Sequence, residues 1–213
     1  MNAKNIAIID DRTSYGQGLA DEFEKAATAA GATIVGREFT TDKSTDFTAI
    51  LTKIKGLNPD LLFFGGMDAQ GAPMVKQMRT LGLAVPFLGG DGVNTAEFMA
   101  LAGDAAEGVT ASLPGVPLDS MPHGAAFRQK FETKYGKIQL YAPYCYDAVM
   151  VMAAAMKKAD SIEPATYLPA LAATRHDGVT AQIKFDDKGD LVGGAITLYR
   201  IENGKWTTLT TIQ

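Results

Sequence analysis

The sequence predicts an α/β fold: a flavodoxin-like doubly wound parallel sheet followed by a C-terminal α+β segment. Three observations point there. Short β-rich runs alternate with amphipathic stretches from residue 5 to about 112. The apolar period switches from near 2 in the runs to near 3.6 between them. The alternation then stops at "PGVPLDSMPHG" (114–124), where three prolines and two glycines break the rhythm.

The strands read "NIAIID" (5–10), "TIVGREF" (33–39), "DLLFF" (60–64), "PFLGG" (86–90) and "GVTASL" (108–113). The helix after the first strand opens on Ser14 and Gln17, an S-x-x-Q capping box. Its stripe is Leu19, Phe23, Ala26, Ala27 and Ala30, and Gly31 stops it. The next helix repeats the logic with Phe47, Ile50, Leu51 and Ile54, and a third uses Met74, Val75, Met78 and Leu81 before Gly82. Repeated βα units with right-handed crossovers imply a parallel sheet with helices on both faces. Beyond residue 124, helices are expected at roughly 124–135, 142–159 and 164–173. The second of these is apolar almost all round and is expected to be buried on more than one side. A strand run "TAQIKF" (180–185) follows, then "GAITLYRI" and "KWTTLTTI" joined at Asn203-Gly204, a strong hairpin signal. The division is therefore a complete flavodoxin-like lobe over 1–115 and a returning segment with a terminal hairpin over 116–213.

Composition removes several function classes. The chain has 213 residues, 46% hydrophobic and 21% charged, so a packed core is expected. A net charge of -4 carries no basic footprint for nucleic acid. The apolar stretch around 148–156 is too short to span a bilayer, and the first residues lack the pattern of a signal peptide, so the sequence as written is expected to stay in the cytoplasm. Cys145, the single cysteine, is expected to be a buried structural thiol.

In an open parallel sheet, ligands bind outside the carboxyl ends of the strands. That focuses attention on residues 10–15, 40–44, 65–70 and 89–94. Asp10 and Asp11 invite comparison with a phosphate-accepting receiver. However, strand three ends in Gly65-Gly66 and "PGVP" follows strand five, so the acceptor aspartate and the lysine are both missing. Gly16-Gln17-Gly18 lacks the third glycine of a dinucleotide loop, and no phosphate loop with a lysine occurs. His123 and His176 have no companions at metal-ligand spacing, and no G-x-S-x-G elbow is present. The residues offer no support for an enzyme, a metal or a cofactor.

Ser14-Tyr15-Gly16-Gln17-Gly18, Gly65-Gly66, Gly89-Gly90-Asp91-Gly92, Tyr146-Asp147-Ala148 and Phe185-Asp186-Asp187-Lys188-Gly189-Asp190 occur in an order that resembles the periplasmic leucine/isoleucine/valine-binding proteins. The likeness covers nearly the whole chain. It implies one lobe of a type I periplasmic binding protein that binds a free amino acid between two lobes and hands it to an ABC-type permease. Tyr15 would face the ligand with Ser14 capping the helix behind it, and Asp91 would pair with the ligand ammonium, where the family's commonest residue is the longer glutamate. Met67 stands where an aromatic often covers the side chain, and Asp68 is either a second anion or a helix cap. Tyr146 and Asp147 read as helix packing and hinge support. On the residues alone Asp91 reads as a turn residue; the resemblance favours the ligand role, since a desolvated ammonium needs a carboxylate partner.

The resemblance begins at the family's second lobe. A first segment of roughly 100–150 residues, the size of a typical domain, has no counterpart, and the groups that would hold the ligand carboxylate go with it. The expectation is a truncated binding protein with impaired affinity that self-associates as a dimer through its incomplete lobe. The competing expectation is a self-associating structural domain without ligand binding.

Overall fold

The computed structural model describes residues 2–213, which divide into two compact units. One comprises the residues up to Leu113 with Leu198–Thr210; the other comprises Pro114–Thr197 with Thr211–Gln213.

In the first unit β1 (Asn5–Asp10), α1 (Ser14–Ala29), β2 (Thr33–Phe39), α2 (Thr48–Gly56), β3 (Leu61–Gly65), α3 (Asp68–Thr80), β4 (Phe87–Gly89), α4 (Ala96–Ala102) and β5 (Thr110–Pro114) follow in succession. β1 pairs in parallel with both β2 and β3, and β3–β4 and β4–β5 are parallel as well. The resulting order β2-β1-β3-β4-β5 is that of a flavodoxin-like sheet.

Side-chain alternation explains why both faces are covered. Ile6, Ile8, Leu61 and Phe63 point to the face under α1, where Leu19, Phe23 and Ala27 pack and Phe23 stacks on Phe63 with ring centroids 3.7 Å apart. Ala7, Ile9, Leu62 and Phe64 point the other way, to a larger core with Leu51 and Ile54 of α2, Met74 and Met78 of α3, and Phe98 of α4. Helix α4 was not expected from the sequence; it is a short helix capped by Thr95, whose hydroxyl accepts from the Phe98 amide at 2.9 Å. The capping box expected at Ser14 and Gln17 is displaced by one residue. Ser14 is already helical, and Thr13 is the cap, accepting from the Gly16 amide at 2.9 Å.

The second unit contains α5 (Gly124–Tyr135), α6 (Ala142–Ala159), α7 (Pro164–Ala172) and a small antiparallel pair, β6 (Arg175–Asp177) and β7 (Gln182–Lys184). Here α6 differs from expectation. Its buried residues are Pro143, Asp147, Val151 and Ala155, a single stripe at i, i+4 spacing. Val149 and Met152, off that stripe, are 65% and 42% exposed, and Cys145 is exposed for the same geometric reason. Asp147 ties the helix to the loop before β7. Its oxygens accept from the Val179 and Thr180 amides, both at 2.8 Å, and from the Thr180 hydroxyl at 2.6 Å. Tyr146 leans on Phe127 with centroids 5.4 Å apart. No helix among the described residues is long and apolar enough to cross a membrane.

The terminal hairpin, β8 (Ile196–Glu202) and β9 (Lys205–Ile212), extends the sheet to β2-β1-β3-β4-β5-β8-β9. Its turn, Asn203-Gly204, has positive φ at both residues, 55° and 70°, as a two-residue hairpin turn requires. The sequence assigned this hairpin to the returning segment over 116–213, yet most of it lies in the first unit. Ile201 exchanges backbone hydrogen bonds with Gly108 and Val109 at 3.0 and 2.9 Å and is buried in the larger core. Trp206 packs on Phe98 and donates its indole N–H to the Thr95 carbonyl at 3.2 Å.

Candidate ligand-binding site

In this strand order β1 is flanked by β2 on one side and β3 on the other. The chain therefore leaves the sheet in opposite directions around it, and the carboxyl ends of β1 and β3 form the switch point at which ligands bind in open sheets of this order. The loops that rim this edge are residues 10–15, 65–68 and 89–94.

Asp10, wholly buried at the end of β1, is neutralised by Arg37 of β2 at 3.0 Å. Burial alone would lower the Arg37 guanidinium, but Asp21, Glu24 and Asp10 outweigh it and hold the group above the usual arginine value. The Arg12 guanidinium lies over the Phe39 ring, 3.3 Å from its centroid. This network fixes the β1–β2 side of the edge; Asp10 forms an ion pair within the chain and is not poised to hold a metal.

Tyr15 and Asp91, 76 residues apart in sequence, meet at this edge. The Tyr15 hydroxyl donates to Asp91 Oδ1 at 2.8 Å and accepts from the Gly92 amide at 3.1 Å. Burial, together with the hydrogen bond and negative charge of Asp91, pushes the Tyr15 phenol well above its usual range, although the Gly92 amide pulls the other way. At neutral pH Tyr15 is therefore a protonated donor that orients the carboxylate. Gly92 must be glycine here: a Cβ would lie 2.7 Å from the Gly66 carbonyl, 2.8 Å from Met67 Sδ and 3.1 Å from the Tyr15 hydroxyl. The same distances place Met67 beside the tyrosine, with its side chain 44% exposed.

Asp68 takes no part in this cluster. Its Oδ2 accepts from the Thr95 hydroxyl at 2.7 Å and its Oδ1 from the Ala69 amide at 2.8 Å, and the N-cap position of α3 is occupied by Met67. Residues 40–44 are joined to α3 by the buried Gln70, whose amide donates to the Asp42 carbonyl at 2.5 Å. The feature that sequence reading missed is the Asp11–Thr13 turn behind Tyr15, where Asp11 Oδ1 accepts from both the amide and the hydroxyl of Thr13. An aspartate two residues before a threonine N-cap is a local turn signal that could have revealed it. Among the described residues no group of three His, Cys, Asp or Glu side chains could hold a metal ion; His123 has a single carboxylate neighbour, Asp177, at 3.3 Å.

The fold is that of the type I periplasmic binding proteins. A leucine-binding protein from Thermotoga maritima superposes with a TM-score of 0.89 at 26% identity, covering 99% of this chain and 61% of that one. A branched-chain amino acid substrate-binding protein from Streptococcus pneumoniae, solved with isoleucine, gives 0.83 at 27% identity, covering 99% and 60%. The chain belongs to the periplasmic binding protein family, whose sequence signature it matches over residues 1–205. Among curated relatives, the leucine-, isoleucine-, valine-, threonine- and alanine-binding protein of Pseudomonas aeruginosa is 32% identical over 197 residues, 92% of this chain and 52% of the relative. A Leu/Ile/Val-binding protein of Rhizobium johnstonii is also 32% identical, over 95% of this chain and 55% of its own length. The chain thus spans about half the length of the curated relatives it matches. The proteins of this family are solute-binding proteins of the periplasm, not enzymes.

Proposed function

We propose that this chain is an amino-acid-binding component of the branched-chain type, serving an ABC permease in the periplasm, and that its ligand wall is the edge formed by Tyr15, Asp91 and Met67. The observation that carries the reading is the Tyr15–Asp91 hydrogen bond at the switch point of the sheet. A carboxylate oriented by a neutral phenol suits a ligand ammonium, because the pairing offsets the desolvation that the cation suffers on leaving water. The thioether of Met67, soft and partly exposed, suits an aliphatic side chain alongside. The name of the Pseudomonas aeruginosa relative, a leucine-, isoleucine-, valine-, threonine- and alanine-binding protein, supports that ligand class. Asp68, engaged by Thr95, is left out of the wall. The three wall residues address the ligand ammonium and side chain and leave its carboxylate to other groups.

Isothermal titration with leucine and isoleucine tests the reading. Saturable heat that falls at least about tenfold in affinity in Asp91→Ala, the loss of a charge-assisted contact, is the expected result. Heat unchanged by that substitution would place the ligand elsewhere.

A second reading, self-association through the second unit, is favoured by the exposure of Val149, Met152 and Leu168 on α6 and α7. Light scattering across a dilution series separates a dimer from a monomer.

A further inference from the structure

We propose that Asp11 is a positioning residue for Tyr15, acting through Thr13 without touching the ligand. The inference rests on the reading of the Tyr15–Asp91 edge as the ligand wall.

Asp11 is 2% exposed at the end of β1, and its amide donates to the Gly65 carbonyl at 3.0 Å, so its backbone is stitched to β3. Its Oδ1 accepts from the Thr13 amide at 2.9 Å and from the Thr13 hydroxyl at 2.6 Å. With its proton committed to Asp11, the Thr13 hydroxyl oxygen accepts from the Gly16 amide at 2.9 Å and caps α1. The relay therefore runs from a residue anchored on two strands into the first helical turn, the turn that carries Tyr15. The packing is close: a Cβ on Gly16 would lie 2.5 Å from the Gly65 carbonyl and collide with Asp11 Oδ1. At the far end the Tyr15 hydroxyl reaches Asp91 and the Gly92 amide. A shift of the first turn of α1 moves that hydroxyl directly. The other oxygen of Asp11, Oδ2, is buried without a protein partner among the described residues. Asp11→Asn therefore keeps every bond of the relay while removing the charge, and Asp11→Ala removes the relay.

The Gly92 amide is a ligand-independent reporter, because its partner is the Tyr15 hydroxyl. Amide exchange at Gly92, read by NMR on the full chain, is expected to quicken about tenfold in Tyr15→Phe, the loss of one hydrogen bond. The same increase is expected in Asp11→Ala and in Thr13→Val, no further increase in Asp11→Ala combined with Tyr15→Phe, and rates near those of the parent chain in Asp11→Asn. Amides of β3 serve as the folding control. Gly92 exchange unchanged in both Asp11→Ala and Thr13→Val, or an Asp11→Ala effect that adds fully to Tyr15→Phe, would overturn the positioning role. Leucine titration of the same proteins separates the two readings. The expected exchange pattern without leucine binding upholds the positioning role and removes the ligand wall. Leucine binding lost in Asp91→Ala, with Gly92 exchange indifferent to Asp11, upholds the wall and removes the positioning role.

Discussion

The two units use apolar residues differently. In the first, strand alternation and helix stripes meet on both faces of the sheet, and Phe64, Phe87 and Phe98 are wholly buried. In the second, α6 is more apolar in sequence than α1, α2 or α3, yet it buries one stripe only, and α7 has no buried residue at all. Hydrophobicity alone therefore misjudges burial. What distinguishes the first unit is that each apolar face has a partner at matching period.

Substitutions in the two units test this contrast. The largest effect is expected from Phe64→Ala, which opens a cavity in the larger core and costs about 3–5 kcal/mol in urea unfolding. Next comes Arg37→Ala, expected to cost about 3 kcal/mol by the same measurement, because it takes away the nearer cation of the wholly buried Asp10 carboxylate and leaves only Arg12, at 4.0 Å. A smaller contribution is pH-dependent. The Asn5 and Lys4 amides hold the Asp60 carboxyl below the usual carboxylate range. Since the folded value is the depressed one, this stabilisation is present above the unfolded value and lost as pH falls through the folded one. Asp60→Asn should therefore flatten the acid limb of a stability–pH profile by lowering the neutral plateau towards the acid end. The smallest effect belongs to the second unit: Val149→Ser on the exposed side of α6 is expected to change stability by less than about 0.5 kcal/mol. A cost comparable to Phe64→Ala there would erase the distinction between the units.

Local patterns made much of the fold legible. The runs read as strands over 5–10 and 33–39 and as helices over 124–135 and 142–159 coincide with β1, β2, α5 and α6, because alternation, caps and breakers act within a few residues. Where two residues compete for one local role, sequence could not choose: Thr13 and Ser14 both offer a hydroxyl, and the Asp11 carboxylate selects Thr13. Long-range partners were less legible still. Nothing within the hairpin announces that Ile201 and Trp206 fill the core beside Phe98. At the site, the rule that ligands gather at strand ends, joined to the family resemblance, brought Tyr15 and Asp91 into view, but their hydrogen bond joins loops 76 residues apart. Asp68 shows the converse. It shares the edge in sequence, but Thr95, brought near by the chain's path through β4, claims its carboxylate.

We propose the edge at the carboxyl ends of β1, β3 and β4 as an amino-acid-binding wall. Titrating the isotopically labelled chain with leucine and following backbone and side-chain shifts by NMR tests it most directly, since weak binding remains visible. Saturable shifts concentrated at Tyr15, Met67 and Gly90–Gly92 that vanish in Asp91→Ala are the expected result. Shifts that spare this edge while appearing elsewhere, or no shifts at millimolar leucine, would contradict it.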